Sequence, residues 1–428
     1  MPEAFRARRI FSLAGEAPAR SRSALDAPLT ALDDGVVIAR SGIIESVEPY
    51  SLFRRGKKNG LRFHDLGDVC VAPGLINAHC HLELSHLAGK TARGQGFPAW
   101  LRSLVPLIKQ PTSRHDLELA VTGALEQLFA AGVAHVGDVG SRFPALVSAI
   151  AESAAADRGA PYPLTHFLES FGFEGDRRIE RGLSDGPAFG PDQAGEAPAT
   201  ASGVPFMPRV ASLMTGRRRA DSSIAGHALY STGPETLRTA SYWSWERGRV
   251  FSLHLAESED EDQCLRDGRG ALFDIFNEAV LPADWKAPGF GPVRYAAELH
   301  LLCPYTLAVH CVHCSPEDIE RLALNGVNVC LCPRSNVYIG VGTAPAGAMA
   351  EAGVLLCLGT DGLTSNNDLN MQAEMAAAVN VYGLSPRAAL RMASLNGAYA
   401  LGLPRLGALA PGAAAVFSLL DSDYAGEL

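Results

Sequence analysis

The stretch Val71-Ala-Pro-Gly-Leu-Ile-Asn-Ala-His-Cys-His-Leu-Glu-Leu-Ser85 decides how the rest of the chain reads. An apolar run passes through a Pro-Gly pair and ends in two histidines one residue apart, His79 and His81. Residues at i and i+2 of a strand project to one face, so both imidazoles can converge at the strand's C-terminal end. Neutral imidazole is a common ligand for a borderline metal, which makes the pair half of a candidate metal site. The other half has to come from elsewhere in the chain.

Working outward, the residues before this strand alternate short β-like runs with turns, as in Gly35-Val-Val-Ile-Ala39 and Gly42-Ile-Ile-Glu-Ser-Val47. The tail, residues 407–420, has the same character, so residues 1–70 and 401–428 are expected to form one small β-sandwich domain. Residues 71–400 alternate strand-like and helix-like segments. Candidate strands cover 134–139, 164–169, 224–229, 250–255, 307–310, 327–332 and 354–359, with helix-like stretches such as 116–131 and 316–324 between them. With the His79 strand the set reaches eight, the pattern of an α/β protein built as a (β/α)8 TIM barrel. Residues 175–223, rich in Gly, Ala, Pro, Ser and Arg, break the rhythm and read as a flexible excursion, either a linker or a lid over the barrel mouth.

Composition narrows the function classes. The chain has 428 residues, 47% apolar and 19% charged, with a formal charge of −9, which disfavours a nucleic-acid partner held through phosphates. Its nine cysteines follow no disulfide framework and several sit in apolar runs such as Val329-Cys-Leu-Cys332, as buried thiols of a reduced compartment do. The start, Met1-Pro-Glu-Ala-Phe-Arg6, lacks a secretory apolar segment, and no window has transmembrane length free of charge. A cytoplasmic location with no membrane partner is the expectation.

In barrels of this kind the site lies at the C-terminal ends of the strands. There the chain places His79 and His81, His227, His254 with Glu257 just beyond, His310, and Asp361 in Leu358-Gly-Thr-Asp-Gly362. One histidine on an apolar strand is ordinary core. Five strands delivering a histidine or carboxylate to one rim is a constellation. Several N/O ligands with an open position define a catalytic metal site, and the ion lowers the pKa of its water to about 7. Carboxylates must then move protons, and Asp361 and Glu257 are the candidates.

The segments Pro73–His81, His254-Leu-Ala-Glu257, His310-Cys-Val-His313, Cys332-Pro-Arg-Ser-Asn336 and Gly359–Asn367 together resemble the amidohydrolase superfamily, in particular its deaminase and chlorohydrolase branch. The resemblance implies one divalent ion, zinc or iron, bound by His79, His81, His254 and Asp361. It implies that Glu257 shuttles a proton to the substrate's ring nitrogen and that Asp361 deprotonates the attacking water. His310 would polarise that water or steady the tetrahedral intermediate, and His227 would contact substrate. The stretch from Glu83 to Trp100 looks most like aminofutalosine deaminases, enzymes of menaquinone biosynthesis. S-adenosylhomocysteine deaminases carry a ribose-binding Glu after the matching Trp-Leu segment, but residues 108–110 offer no carboxylate, so either Glu83 is the substitute or the substrate is not a nucleoside. Trp100 and Phe97 offer rings for stacking on a purine or for core packing. The expected activity is hydrolytic deamination of an aminopurine-type small molecule with release of ammonia, and the expected assembly allows a homodimer. A triazine-type chlorohydrolase, or a barrel that binds a metal or ligand without catalysis, is the alternative.

Overall fold

The computed structural model describes residues 1–56, 60–158, 163–173, 222–277 and 280–428. The two chain ends meet in one mixed sheet. Its strands are β1 Glu3–Phe11, β2 Ala31–Arg40, β3 Ile43–Pro49, β4 Arg62–Asp65 and β5 Cys70–Pro73, with β14 Phe417–Leu420 from the tail. The order is β14-β5-β1-β2-β3, with β4 also pairing β1. Chain end thus joins chain start through β14 and β5, which run antiparallel with Leu419 opposite Val71. The two chain ends build this one six-stranded sheet, its core drawn from Ala7, Ile10, Val37, Ile44, Val71 and Leu409.

Gly74 separates that sheet from the barrel. β6 Leu75–Cys80, β7 Val133–Gly140, β8 Leu164–Ser170, β9 Ser222–Ala228, β10 Phe251–Leu255, β11 Thr306–His310, β12 Asn328–Leu331 and β13 Leu355–Leu358 follow in sequence order. Each pairs only with its neighbours in the chain, so they form one eight-stranded sheet. The ladders are parallel. Parallel strands need long crossovers, and helices such as Arg114–Ala130, Pro234–Glu246 and Pro316–Leu324 supply them. Because helices cover the outside and side chains fill the inside, the strands are buried on both faces and read as continuous apolar runs. Ile76, Ala78, Val139, Phe167, Ala225, Val309, Cys330 and Cys357 form the inner cluster. Leu75, Val136, Leu168, Ile224, Leu253, Val329 and Leu356 pack outward against the helices.

The expected excursion at 175–223 lies outside the described residues except for its last two. Ser222 and Ser223 already belong to β9, opposite His166 and Phe167. The barrel's last strand meets its first differently from the other pairs. Asn77 bridges the gap with its side chain, donating from Nδ2 to Thr360 Oγ1 at 2.7 Å and accepting at Oδ1 from Thr360 N at 3.0 Å. Asp361 N adds a bond to His79 O at 3.1 Å. Gly359 makes this approach possible, since a Cβ there would lie 2.9 Å from both the Cβ and the backbone N of His79. No helix among the described residues is long and apolar enough to cross a membrane.

Candidate active site

The C-terminal ends of β6, β10, β11 and β13 bring His79, His81, His254, His310 and Asp361 together. Ligand atoms of His79, His81 and His254 lie within 4.8 Å of one another, and so do those of His79, His310 and Asp361. Asp361 Oδ1 is 3.4 Å from His79 Nε2 and 3.5 Å from His81 Nε2. Backbone strain collects at this rim. Ala256 (φ 52°), His310 (φ 74°), Cys311 (φ 48°) and Asp361 (φ 57°) all adopt left-handed conformations that side chains disfavour. Such outliers persist where surrounding structure over-determines them, and here they aim functional side chains inward.

The hydrogen bonds fix the tautomers. His81 donates from Nδ1 to Val139 O at 3.1 Å, and His254 donates from Nδ1 to His227 O at 2.7 Å. The protons sit on Nδ1, so both Nε2 atoms carry lone pairs, and these two atoms are 3.3 Å apart. Two facing acceptors repel unless a cation shares them. His79 is fully buried, yet neither of its ring nitrogens has a hydrogen-bond partner. Burial lowers its pKa to about 4 and holds His254 and His310 below the usual imidazole range, which keeps all three rings in the neutral, ligating form. Burial pushes the Asp361 carboxyl up, but His79, His81 and His310 outweigh it and hold the group well below the usual carboxylate range. These donors fit a single divalent ion. His79, His81, His254 and Asp361 are the residues suited to hold it, with N and O chemistry typical of zinc.

A second tier of contacts orients these groups. Asp361 Oδ2 accepts from Ser335 Oγ at 2.7 Å and from Ser365 Oγ at 2.5 Å, which leaves Oδ1 turned toward the histidines. His310 Nδ1 pairs with Asn336 Oδ1 at 3.0 Å, so Nε2 faces the site, 3.6 Å from Glu257 Oε1. Glu257 is buried, and burial, then Asp361, then Glu261 push its carboxyl well above the ordinary value. Its backbone N donates to Glu261 Oε2 at 2.8 Å. Ser335, Ser365 and Asn336 stand inside motifs whose family resemblance is plain in the sequence, but hydroxyls and amides carry no positional signal of their own.

Three sequence-predicted substrate contacts divide. His227 is at the site, its ring centroid 5.3 Å from that of His254 and its Nδ1 paired with Ser231 Oγ at 2.6 Å. Glu83 is turned away. Its carboxylate accepts from the backbone N of Ser141, Arg142 and Phe143 at 2.7–3.2 Å, because the short 3-10 turn Leu82–Leu87 points it at the loop after β7. With both oxygens occupied it clamps that loop instead of offering a free carboxylate. Trp100 packs at a tilt against Phe97, centroids 5.4 Å apart, and its Nε1 donates to Thr364 O at 2.8 Å, an anchor in the loop after β13. One carboxylate that sequence reading left without a role, Glu169 at the end of β8, lies within 4.8 Å of ring nitrogens of His227 and His254. The cysteines are all free, and none joins a cluster of potential metal ligands among the described residues.

Residues 70–427 match the Amidohydrolase family. The chain belongs to that family. As an amidohydrolase it is a hydrolase of carbon–nitrogen bonds other than peptide bonds. A 5-methylthioadenosine/S-adenosylhomocysteine deaminase of Nitratidesulfovibrio vulgaris is 30% identical over 406 residues, covering 92% of this chain and 81% of that one. The enzyme of the same description from Halobacterium salinarum is 29% identical over 367 residues, covering 84% and 74%. Among solved structures, Helicobacter pylori aminofutalosine deaminase superposes with a TM-score of 0.76 at 19% identity, covering 97% of this chain and 91% of that one. A zinc-bound adenosine deaminase of Xanthomonas campestris does so at 0.74 and 22%, covering 98% and 84%. At those identities the two structures establish a shared fold.

Proposed function

We propose that this amidohydrolase deaminates the 6-amino group of an adenine-type nucleoside. The observation that carries the reading is Glu257, a buried carboxyl 3.6 Å from His310 Nε2 on the rim of the histidine–aspartate cluster, which burial pushes well above the ordinary carboxylate range. A purely binding barrel has no need of such an acid. The relatives of about 30% identity are named for deamination of two adenine nucleosides, which supports the substrate class.

His79, His81, His254 and Asp361 would hold a divalent ion, which when bound would supply Lewis acidity to a water molecule. Asp361 Oδ1, kept ionised by the surrounding imidazoles, accepts a proton from that water. Glu257 gives its proton to the ring nitrogen next to the reacting carbon, which makes that carbon electrophilic. His310, oriented by Asn336, accepts at its Nε2 from the hydroxyl that forms on C6. Water oxygen bonds to C6, the amino group takes the proton that Asp361 accepted, the C6–N6 bond breaks with release of ammonia, and the C6 hydroxyl proton passes to Glu257. The product carries an oxo group at C6.

The test is ammonia release by zinc-loaded protein from adenosine, 5′-methylthioadenosine, S-adenosylhomocysteine and aminofutalosine, with adenine, a pterin and a chlorotriazine alongside. Turnover of one or more nucleosides is expected. Chloride release from the triazine with no ammonia from any nucleoside would replace deamination by the chlorohydrolase reading.

A further inference from the structure

A nucleoside offers the enzyme a ribose as well as a base, and a carboxylate is the side chain suited to accept from two adjacent hydroxyls. Most buried carboxylates near the cluster have their oxygens engaged. Glu83 holds the amides of Ser141, Arg142 and Phe143. Asp138 accepts from Leu82 N at 2.8 Å and faces His166 Nδ1 at 3.1 Å. Glu374 accepts from Asn366 Nδ2 at 2.7 Å and Arg334 N at 3.2 Å. Asp361 has its two serines and the histidines, and Glu257 faces His310. Glu261 keeps an oxygen without a partner, but its other oxygen pins the Glu257 backbone on the far side of that residue.

Glu169 differs from all of these. It ends β8 on the barrel's inner face, is only 8% exposed, and its Oε1 has no partner at all. Leaving a buried carboxylate oxygen unpaired is costly, which marks it as a group whose partner arrives with a ligand. Its carboxylate lies beside His227 and His254, with ligand atoms within 4.8 Å of one another. Two residues on, Phe171 is half exposed, with its ring 5.2 Å from that of His227, so a carboxylate and an aromatic face flank the same imidazole. A second cation shared by Glu169, His227 and His254 is disfavoured, because the one free lone pair of His254 already faces His81.

We infer that Glu169 binds the 2′,3′-diol of the substrate's ribose and makes this enzyme selective for ribonucleosides. The inference rests on the nucleoside reading above. It assigns to the third barrel strand the recognition that the sequence suggested for Glu83.

The experiment compares adenosine, 2′-deoxyadenosine and 2′,3′-dideoxyadenosine as substrates of the zinc-loaded parent, E169Q and E169A. The parent should favour adenosine over the dideoxynucleoside by roughly 10- to 100-fold in kcat/KM, the value of one or two hydrogen bonds to a charged group. E169A should lose that preference, mainly through KM for adenosine, at a zinc content equal to the parent's by atomic absorption. E169Q, keeping one carbonyl acceptor of the same shape, should fall between. The dideoxynucleoside is the internal control for folding and metal loading. If E169A slows all three substrates by the same factor, Glu169 does not read the ribose. If the parent deaminates no nucleoside at all, it is the nucleoside reading that fails.

Discussion

Ser335 and Ser365 give the sharpest test of how the cluster is held. Both hydroxyls donate to Asp361 Oδ2, at 2.7 and 2.5 Å, inside a pocket where Asp361 is 5% exposed and no other donor to that oxygen is seen among the described residues. A hydrogen bond to a charged group contributes about 1.5–3 kcal/mol. Loss of an outer partner of a metal ligand costs about 10- to 100-fold in affinity, or roughly 1.4–2.7 kcal/mol, so two independent routes give the same size. S335A should therefore bind zinc about 10- to 100-fold more weakly than the parent, measured by competition with a chromophoric chelator at fixed pH. The double variant S335A/S365A should be weaker still, by less than the product of the two because they share one oxygen. At saturating zinc, turnover should recover partly, since Oδ1 remains in place but the carboxylate is free to swing. A double variant that competes for zinc as well as the parent would refute the claim that these hydroxyls fix the aspartate.

Further outcomes follow from neighbouring residues. E257Q keeps the shape of the acid without its transferable proton, so turnover should drop roughly 10²–10⁴-fold while metal content, read by atomic absorption, stays at the parent level. G359A adds a Cβ 2.9 Å from His79 N and from Cys330 Sγ, neither free to move, and should cost about 1–3 kcal/mol in chemical denaturation together with zinc affinity. A G359A protein as stable as the parent would mean that the seam relaxes more easily than its packing indicates. Burial raises the Glu261 carboxyl to about 8 from an ordinary 4.5. Between those values the unfolded chain has lost this proton and the folded protein keeps it, so the group's burial costs more stability as pH rises through that window. E261Q should accordingly gain in Tm relative to the parent on going from pH 5 to pH 8, and parallel Tm–pH curves for the two would sink the assignment.

Much of the barrel is legible in the sequence because parallel strands buried on both faces must be continuous apolar runs. The segments 164–169, 307–310 and 354–359 lie within about two residues of β8, β11 and β13 for that reason. The metal-ligand candidates are legible because imidazole and carboxylate at the ends of such runs have few other uses. What stays hidden is whatever depends on direction. Glu83 looks like a substrate carboxylate until the 3-10 turn after His81 points it at three backbone amides. The Trp100 indole N–H is bonded to Thr364 O, a partner the sequence around it does not mark. Ser335, Ser365 and Asn77 act through hydrogen bonds across 26, 4 and 283 residues, and nothing in composition or periodicity marks such a pairing. The left-handed conformations at His310 and Asp361 are equally silent, since neither residue type announces a positive φ.

The side-chain bridge from Asn77 to Thr360 has a consequence for how the protein matures. Ligands drawn from the first, fifth and eighth strands exist as a set only once the ring of strands has shut, so an unfinished chain has no place to store the ion. Uptake of an ion by these residues would then be the last event of assembly, and a chain that stalls early would stay empty. An ion bound afterwards would act as a rivet across the joint that rests on one amide side chain and the Asp361 N–His79 O bond. Removing it should loosen that joint before any other, and exchange of the Thr360 and Asp361 amide protons would show the opening first.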